Sequence, residues 1–556
     1  MRIQKVTIEN FRGITGTFED LPSDLTIIGR NDSGKSNFCY ALRKVLDIKE
    51  RRQPFVESDS TDSNCQEIKI SLVISLDGIS ANNRALLGTF IDQEGSIETV
   101  TVELIGTYDS SCGVYNETLS LGSLDKRGYS FSNSNPLDSV LTMMYVGPVF
   151  DVETDKTRFF EYHKKNNEDN SSEVGNDVKK ALTELNSKIK SDAAIGKIQS
   201  CLDGFTNFDS IFDGVKFEIK SNIEIHNFYK SLKVISKIGD KEVSNIGDGK
   251  YKTLSLLFQI LSMNDEKEKI IIIEEPENHL YPLLQREYAS CIESLDVGQR
   301  IITTHSPFIF DFKKDKRIYK FFRDNGIFTY KTLNFDSDLF YKKYAYLIDD
   351  DFAESLFYDE VLLVEGYSER LFINYIIRNF PGLFETIEKR KLFVLPVYGI
   401  DFKPVYDALT SLGIKTYVLT DNDIIGVPYH SDLCDYSGMN RLYNLLDANE
   451  KNRVDSVYQH PFKFVKGSKD EEDFKKAKDV IINIFKANGL LIEDLDFENS
   501  LMDLLGFKGE ERDNLIGELT NKKLKNLHTF LINNIDLSKA DFKRWKQLNY
   551  ILYGED

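Results

Sequence analysis

No apolar run in this chain approaches the roughly 18 to 20 residues that a membrane-spanning helix requires, so no transmembrane segment is expected. The opening MRIQKVTIENFRG alternates like a strand and lacks the apolar core of a signal peptide, which predicts a cytoplasmic protein with no membrane partner. Cysteine is sparse. The six thiols (Cys39, Cys65, Cys112, Cys201, Cys291, Cys434) show no CxxC spacing, which argues against a zinc site or a disulfide framework and for buried free thiols. Proline is also sparse, at 12 in 556 residues, and with 41% hydrophobic and 29% charged residues the composition is that of a globular chain. Positive charge is in deficit: a formal net charge of −19 excludes a protein that coats nucleic acid with its whole surface, because phosphate contacts need a basic patch. One local patch remains (Lys522, Lys523, Lys525, Lys539, Lys543, Arg544, Lys546), and it reads equally as a solvated helix face.

The length calls for two or three domains, since single cores stop growing at about 250 to 300 residues. Strand-like runs at Ile3 to Ile8, Leu25 to Ile28, Glu67 to Leu76, Thr99 to Ile105, Ile270 to Ile273 and Arg300 to Thr303, with a helical segment at Ser36 to Val45, predict a mixed sheet in the first 330 or so residues. The polar stretch Asn166 to Asp177 and the helical periodicity of Val178 to Leu202 predict a mostly helical insertion over 153–235, a candidate dimerisation surface that splits the first domain into 1–152 and 236–344. After a composition change at Asp336 to Glu354, runs at Val361 to Val364, Leu392 to Val397 and Thr416 to Leu419 alternate with helix-like sequence. That pattern predicts a small parallel α/β domain over 345–556 whose last 60 or so residues are helical, and an α/β fold class throughout.

Gly29-Arg30-Asn31-Asp32-Ser33-Gly34-Lys35-Ser36 fits GxxxxGK[ST] between a strand and a helix. Such a loop points backbone amides at phosphate oxygens, with Asn31 and Gly34 in the wrap, Lys35 reaching the β and γ phosphates and Ser36 holding Mg²⁺. The apolar strand 270–273 ends in Glu274, for the Mg²⁺ shell, and Glu275, for activating the attacking water. Downstream, Arg300 to Pro307 ends a strand at His305, placed to sense the γ-phosphate. This order resembles the ABC ATPase family. That resemblance implies an ATP site completed by the signature loop of a second copy, hence a homo-oligomer, dimer or tetramer. Here the signature loop is Asn245-Ile246-Gly247-Asp248-Gly249-Lys250, where Ile246 stands in place of the usual Ser and leaves the contact to the Gly247 and Gly249 backbone.

Val361 to Val364 leads into Glu365-Gly366-Tyr367-Ser368-Glu369, a strand-end carboxylate, a turn and a second carboxylate one helical turn on. Thr420-Asp421-Asn422-Asp423 ends the third strand, and alternating carboxylates there suit hard Mg²⁺ or Mn²⁺. These residues, with the turn Val397-Tyr398-Gly399 between them, resemble the Toprim motif. Taken together, the two halves resemble the overcoming-lysogenisation-defect (OLD) nucleases, a family that includes the nuclease subunit of Gabija phage defence. The resemblance covers nearly the whole chain and implies an ATP-binding, metal-dependent DNA endonuclease, regulated by nucleotide, acting in anti-phage defence; a helicase, a retron reverse transcriptase and no partner at all stay open as its company. It implies two metals, one shared by Glu365, Asp421 and Asp423 and one supported by Glu369 and Glu498, with Lys523 at the leaving oxygen. Glu498 is preferred to Asp496 and Lys523 to Lys522. Two alternatives stay open: a structural ATPase of the chromosome-maintenance or recombination type, which predicts a coiled coil that no heptad run supports, and a nucleotide-sensing module with an inactive Toprim domain.

Overall fold

The computed structural model describes residues 1–62, 67–94, 97–122, 127–129, 135–148, 155–156, 158–159, 193–204, 215–221, 232–238, 240–243, 247–262, 267–309, 316–324, 327–334, 350–380, 383–399, 401–426, 433–520, 526–527, 529–530 and 540–553. The chain divides into two compact units, Met1–Phe335 and Asp336–Asp556.

In the first unit, period-two alternation along strand Arg2–Phe11 buries Val6 and Ile8 on one face, and a register shift between Ile3 and Lys5 brings Ile3 into the same core cluster. This strand pairs antiparallel with Ile14–Phe18 and Glu67–Ser75, and the series runs on through Ile97–Asp109 and Val114–Leu121. The other half of the same sheet is mainly parallel. There Asp24–Gly29 lies between Gln299–Thr303 and Lys316–Asp324, with Glu268–Glu274 and Leu141–Val146 beyond Gln299–Thr303. Four consecutive isoleucines in Glu268–Glu274 have a simple cause: Ile270 and Ile272 face one core cluster, while Ile271 and Ile273 face a second on the opposite side of the sheet. All four are fully buried, each worth about 1.5–3 kcal/mol relative to exposure, which fixes where the strand ends and therefore where Glu274 emerges.

Most of the expected insertion over 153–235, including Asn166 to Asp177, lies outside the described residues. Its described part holds helix Ala193–Gly204 and strand Val215–Ser221, which pairs with Leu232–Ile238 in a small antiparallel sheet. The apolar and polar alternation of VKFEIKS is the sequence signal for that strand.

The second unit is built on a four-stranded parallel sheet ordered Leu392–Pro396, Glu360–Val364, Lys415–Thr420, Leu490–Ile492. From Glu360–Val364 the chain moves outward to Leu392–Pro396 and then returns across it to Lys415–Thr420. The order therefore reverses between the strands that end at Glu365 and Asp421, and the crevice at such a reversal is where open α/β sheets bind ligands. A separate antiparallel sheet, Ile424–Gly426, Leu433–Tyr436 and Lys463–Val465, was not anticipated from the sequence. Among the described residues, no helix is long and apolar enough to cross a membrane.

Candidate nucleotide and metal sites

Strand Asp24–Gly29 delivers the glycine loop to helix Lys35–Leu46, which starts on Gly34 at φ 96°, a left-handed conformation that suits glycine. Among the described residues no side chain caps this helix, which leaves its first-turn amides for an anion that the helix dipole also favours. Asn31, Gly34, Lys35 and Ser36 line a cavity of about 690 Å³ with Glu275, Asn278, His305, Arg323 and Phe328. Lys35 is buried, and its Nζ donates to the carbonyls of Gly29 at 3.0 Å and Arg30 at 2.9 Å. Burial lowers its pKa to about 8, against the opposing pull of Glu275 and Glu277.

Glu274 is buried at the strand end, and burial raises its carboxyl pKa, opposed first by a hydrogen bond with Ser36. That bond unites the hydroxyl and the carboxylate expected to share a cation. Glu275 has a left-handed φ of 47°, accepts a hydrogen bond from Asn278 Nδ2 at 2.9 Å and lies 3.7 Å from His305 Nε2. Burial, and then the Lys35 charge, lower the His305 pKa and favour neutral imidazole.

Two residues that the sequence did not single out hold this arrangement. Glu277 accepts the Thr304 hydroxyl at 2.8 Å and the His305 amide, while burial raises its own pKa. Lys252, almost fully buried in helix Asp248–Leu261, donates at 3.1 Å to the carbonyls of both Glu275 and Asn278, and burial lowers its pKa to about 8. A lysine within the apolar face of a helix was the available signal. Gly247 and Gly249 do not line the cavity. Gly247 has φ 84° and a Cβ on it would meet no described atom within 4 Å, whereas a Cβ on Gly249 would fall 2.6 Å from Leu284 Cδ2, so Gly249 packs its helix closely against that leucine. Ile246 lies outside the described residues.

In the second unit, Glu365 follows Glu360–Val364, and its Oε1 accepts hydrogen bonds from the Thr420 hydroxyl, the Asp421 amide at 3.1 Å and Arg441 Nη1 at 2.7 Å. Arg441 Nη2 reaches Asp423 Oδ2, so one guanidinium joins the two strand ends. Asp421 Oδ1 instead accepts the amide of Phe497 at 2.9 Å, at the start of helix Phe497–Leu505. Glu369 and Glu498 are buried in the first turns of helices Tyr367–Asn379 and Phe497–Leu505, where the helix dipole favours a carboxylate. Phe372 and Phe497 pack edge to face at 5.6 Å and join these helices. Asp496 caps the second of them, accepting the Asn499 amide at 2.8 Å. Lys522 and Lys523 lie outside the described residues.

A family model described as an AAA ATPase domain matches residues 1–110 and 148–310, and one described as the TOPRIM domain of overcoming lysogenization defect protein-like proteins matches 356–423. Endonuclease GajA of Bacillus cereus (strain VD045) is 25% identical over 565 residues, covering 96% of each chain. The chain joins an AAA ATPase domain to an OLD-like TOPRIM domain. It is homologous to GajA and to the Old nuclease of Escherichia phage P2, which is 24% identical over 505 residues, 81% of this chain and 82% of that protein. Among solved structures, the SMC head bound to the C-winged helix domain of ScpA aligns with 60% of this chain and 99% of that one, at 14% identity and a TM-score of 0.40.

The two domains imply use of a nucleotide and a divalent cation. The TOPRIM match includes Glu365, Glu369, Asp421 and Asp423 and stops short of Arg441, Glu498 and Lys523. As donors its carboxylates suit a hard cation, since all are anionic oxygens at the ends of parallel strands or the starts of the next helices. Among the described residues, however, no three His, Cys, Asp or Glu side chains converge on one point, and the charge beside Glu365 and Asp423 is supplied by Arg441.

Proposed function

We propose that this protein is a metal-dependent DNA endonuclease whose AAA ATPase domain binds ATP and regulates cutting, in the service of anti-phage defence. The observation that carries this reading is the meeting of Glu365 and Asp423 at the crevice where the strand order reverses, on a chain homologous to two nucleases. Glu365, Asp421 and Asp423 would hold one Mg²⁺ or Mn²⁺, and Glu369 with Glu498 a second. Bound there, such ions supply an activated water and charge at the leaving oxygen. Lys523 would add positive charge on the leaving side, while in the metal-free chain Arg441 pairs with Glu365 and Asp423.

In the ATPase domain, Lys35 and the amides of the Asn31 to Ser36 loop would take the phosphates, with Ser36 and Glu274 at the cation, Glu275 orienting water and His305 reading the γ-phosphate. Pairing of two copies would bring the Gly247 and Gly249 loop of one to the nucleotide of the other, with the 153–235 insertion extending the contact. A helicase, a retron reverse transcriptase and no partner protein remain the three open arrangements. A second reading, a nucleotide sensor with a silent TOPRIM domain, draws on the unconverged carboxylates among the described residues.

Incubating the purified protein with supercoiled, linear and single-stranded DNA, with Mg²⁺, Mn²⁺ or chelator and with or without ATP, separates the readings. Cutting that needs the metal and stops with chelator is expected; cutting indifferent to chelator, or none under any condition, would sink the nuclease reading. Light scattering with and without an ATP analogue tests the pairing, and a strict monomer in both would remove it.

A further inference from the structure

We propose that Arg441 is the resident counter-ion of Glu365 and Asp423, and that a divalent cation loads this crevice by displacing its guanidinium. The inference rests on the metal-dependent reading above and adds a residue that lies outside the TOPRIM match.

Its placement is built in by the sequence. Gly438 opens the approach, because a Cβ there would fall 2.3 Å from the Asp421 carbonyl oxygen, so only glycine lets helix Ser437–Leu445 press against the aspartate loop. The Ser437 amide and hydroxyl each donate to the Asp423 carbonyl at 3.0 Å and pin the helix start. Arg441 follows Gly438 by three residues and so projects from the same face. Its Nη1 binds Glu365 Oε1 at 2.7 Å and the Thr420 hydroxyl at 2.8 Å, its Nη2 binds Asp423, and the side chain is 11% exposed.

Two features make this a replaceable partner rather than a fixed strut. Arg441 Nε is buried with no hydrogen-bond partner among the described residues, so the guanidinium is held by its two terminal nitrogens alone. Glu365 Oε2 and Asp423 Oδ1 have no hydrogen-bond partner among the described residues, which leaves each carboxylate one oxygen for a new ligand. A divalent cation held by these carboxylates would bring a like charge close to the guanidinium, and repulsion at that distance is screened only weakly in a partly buried site. One cation must leave as the other arrives. Without either, the paired carboxylates would repel each other, so Arg441 keeps the metal-free crevice intact.

The test is Mn²⁺ binding by isothermal titration calorimetry on full-length, nucleotide-free protein, comparing wild type with Arg441→Gln and Arg441→Lys and using Glu365→Gln as the blank. Arg441→Gln is expected to bind Mn²⁺ at least about tenfold more tightly than wild type, with Arg441→Lys between them. Its melting temperature without metal should fall and recover on adding Mn²⁺. If Arg441→Gln is unfolded without metal, recovery of its circular dichroism spectrum with Mn²⁺ supports the proposal and failure to recover overturns it. A folded Arg441→Gln with equal or weaker affinity also overturns it while leaving the metal site standing. Wild-type binding that Glu365→Gln does not weaken would instead remove the metal site itself, and the inference with it.

Discussion

At the phosphate loop of the first unit, the Lys35 ammonium rests on two neutral carbonyls, whereas in the second unit the Glu365 and Asp423 carboxylates rest on a charged guanidinium. The difference is one of exchange cost. Both sets of bonds are charge-assisted, at about 1.5–3 kcal/mol each, but the Lys35 partners are neutral carbonyls, so phosphate can take over Lys35 without any other charge moving, while a metal must evict a cation. The Lys35 site is preset for its ligand; the carboxylate site is balanced against it.

The comparison breaks most visibly if the two sites fail to separate under substitution. Glu365→Gln or Asp423→Asn keeps side-chain volume and removes a negative donor, and DNA cleavage should fall by about a hundredfold to a thousandfold, the scale of losing one charge-stabilising group. Nucleotide affinity should stay unchanged. Lys35→Ala should do the reverse for binding, weakening an ATP analogue by about a hundredfold in calorimetry while the melting temperature holds, since the residue lost is a partly desolvated cation. A carboxylate variant that lost nucleotide binding would tie the sites together and defeat the contrast.

A smaller effect follows from the lowered Lys35 pKa. The protonated amine binds phosphate, and with a pKa of about 8 in the nucleotide-free protein only about a tenth of it remains protonated one pH unit higher, so affinity should be steady to pH 7 and about tenfold weaker at pH 9. Linkage runs the other way for stability: the unfolded chain, with lysine at 10.5, binds more protons between about 8 and 10.5, so the nucleotide-free fold should gain stability with pH in that window. An affinity flat from pH 7 to 9 would take the phosphates off Lys35. Of similar size, Lys252→Met should lower kcat for ATP hydrolysis by about tenfold with little change in KM, since Lys252 holds the backbone of Glu275 rather than the nucleotide. A change in KM alone would place it in direct contact with the nucleotide.

Much of this was legible in the sequence because the acids emerge from apolar runs. Glu274, Glu365 and Asp421 each end a buried strand, and the run of residues before them fixes both the strand and its exit point. Arg441 was not legible. It lies 18 residues past Asp423 and 76 past Glu365, in an amphipathic helix where an arginine is ordinarily a solvated residue, and only the Gly438 approach turns it inward. Leu490–Ile492 was missed because three residues are too few for a periodic signal, although this strand sets the far edge of the carboxylate crevice. Glu498 was preferred to Asp496 from the sequence, and the structure gives Asp496 the helix cap. The Gly247 and Gly249 pair looked like one loop, yet Gly247 has a positive φ while Gly249 lies inside the helix against Leu284.

Strand Asp24–Gly29, which carries the phosphate loop, pairs on both sides with strands made far later, Gln299–Thr303 and Lys316–Asp324. Arg300 bonds Asp24 across a separation of 276 residues. At the usual rate of synthesis, about 5 to 20 residues per second, the ribosome needs roughly 15 to 55 s to supply the first of those neighbours. During that interval the early antiparallel strands have partners at hand, but Leu25, Ile27 and Ile28 do not. A chain stalled before Gln299 therefore presents an apolar, unpaired edge to its surroundings, and a loop made early in the sequence is among the last parts of the domain to acquire its shape.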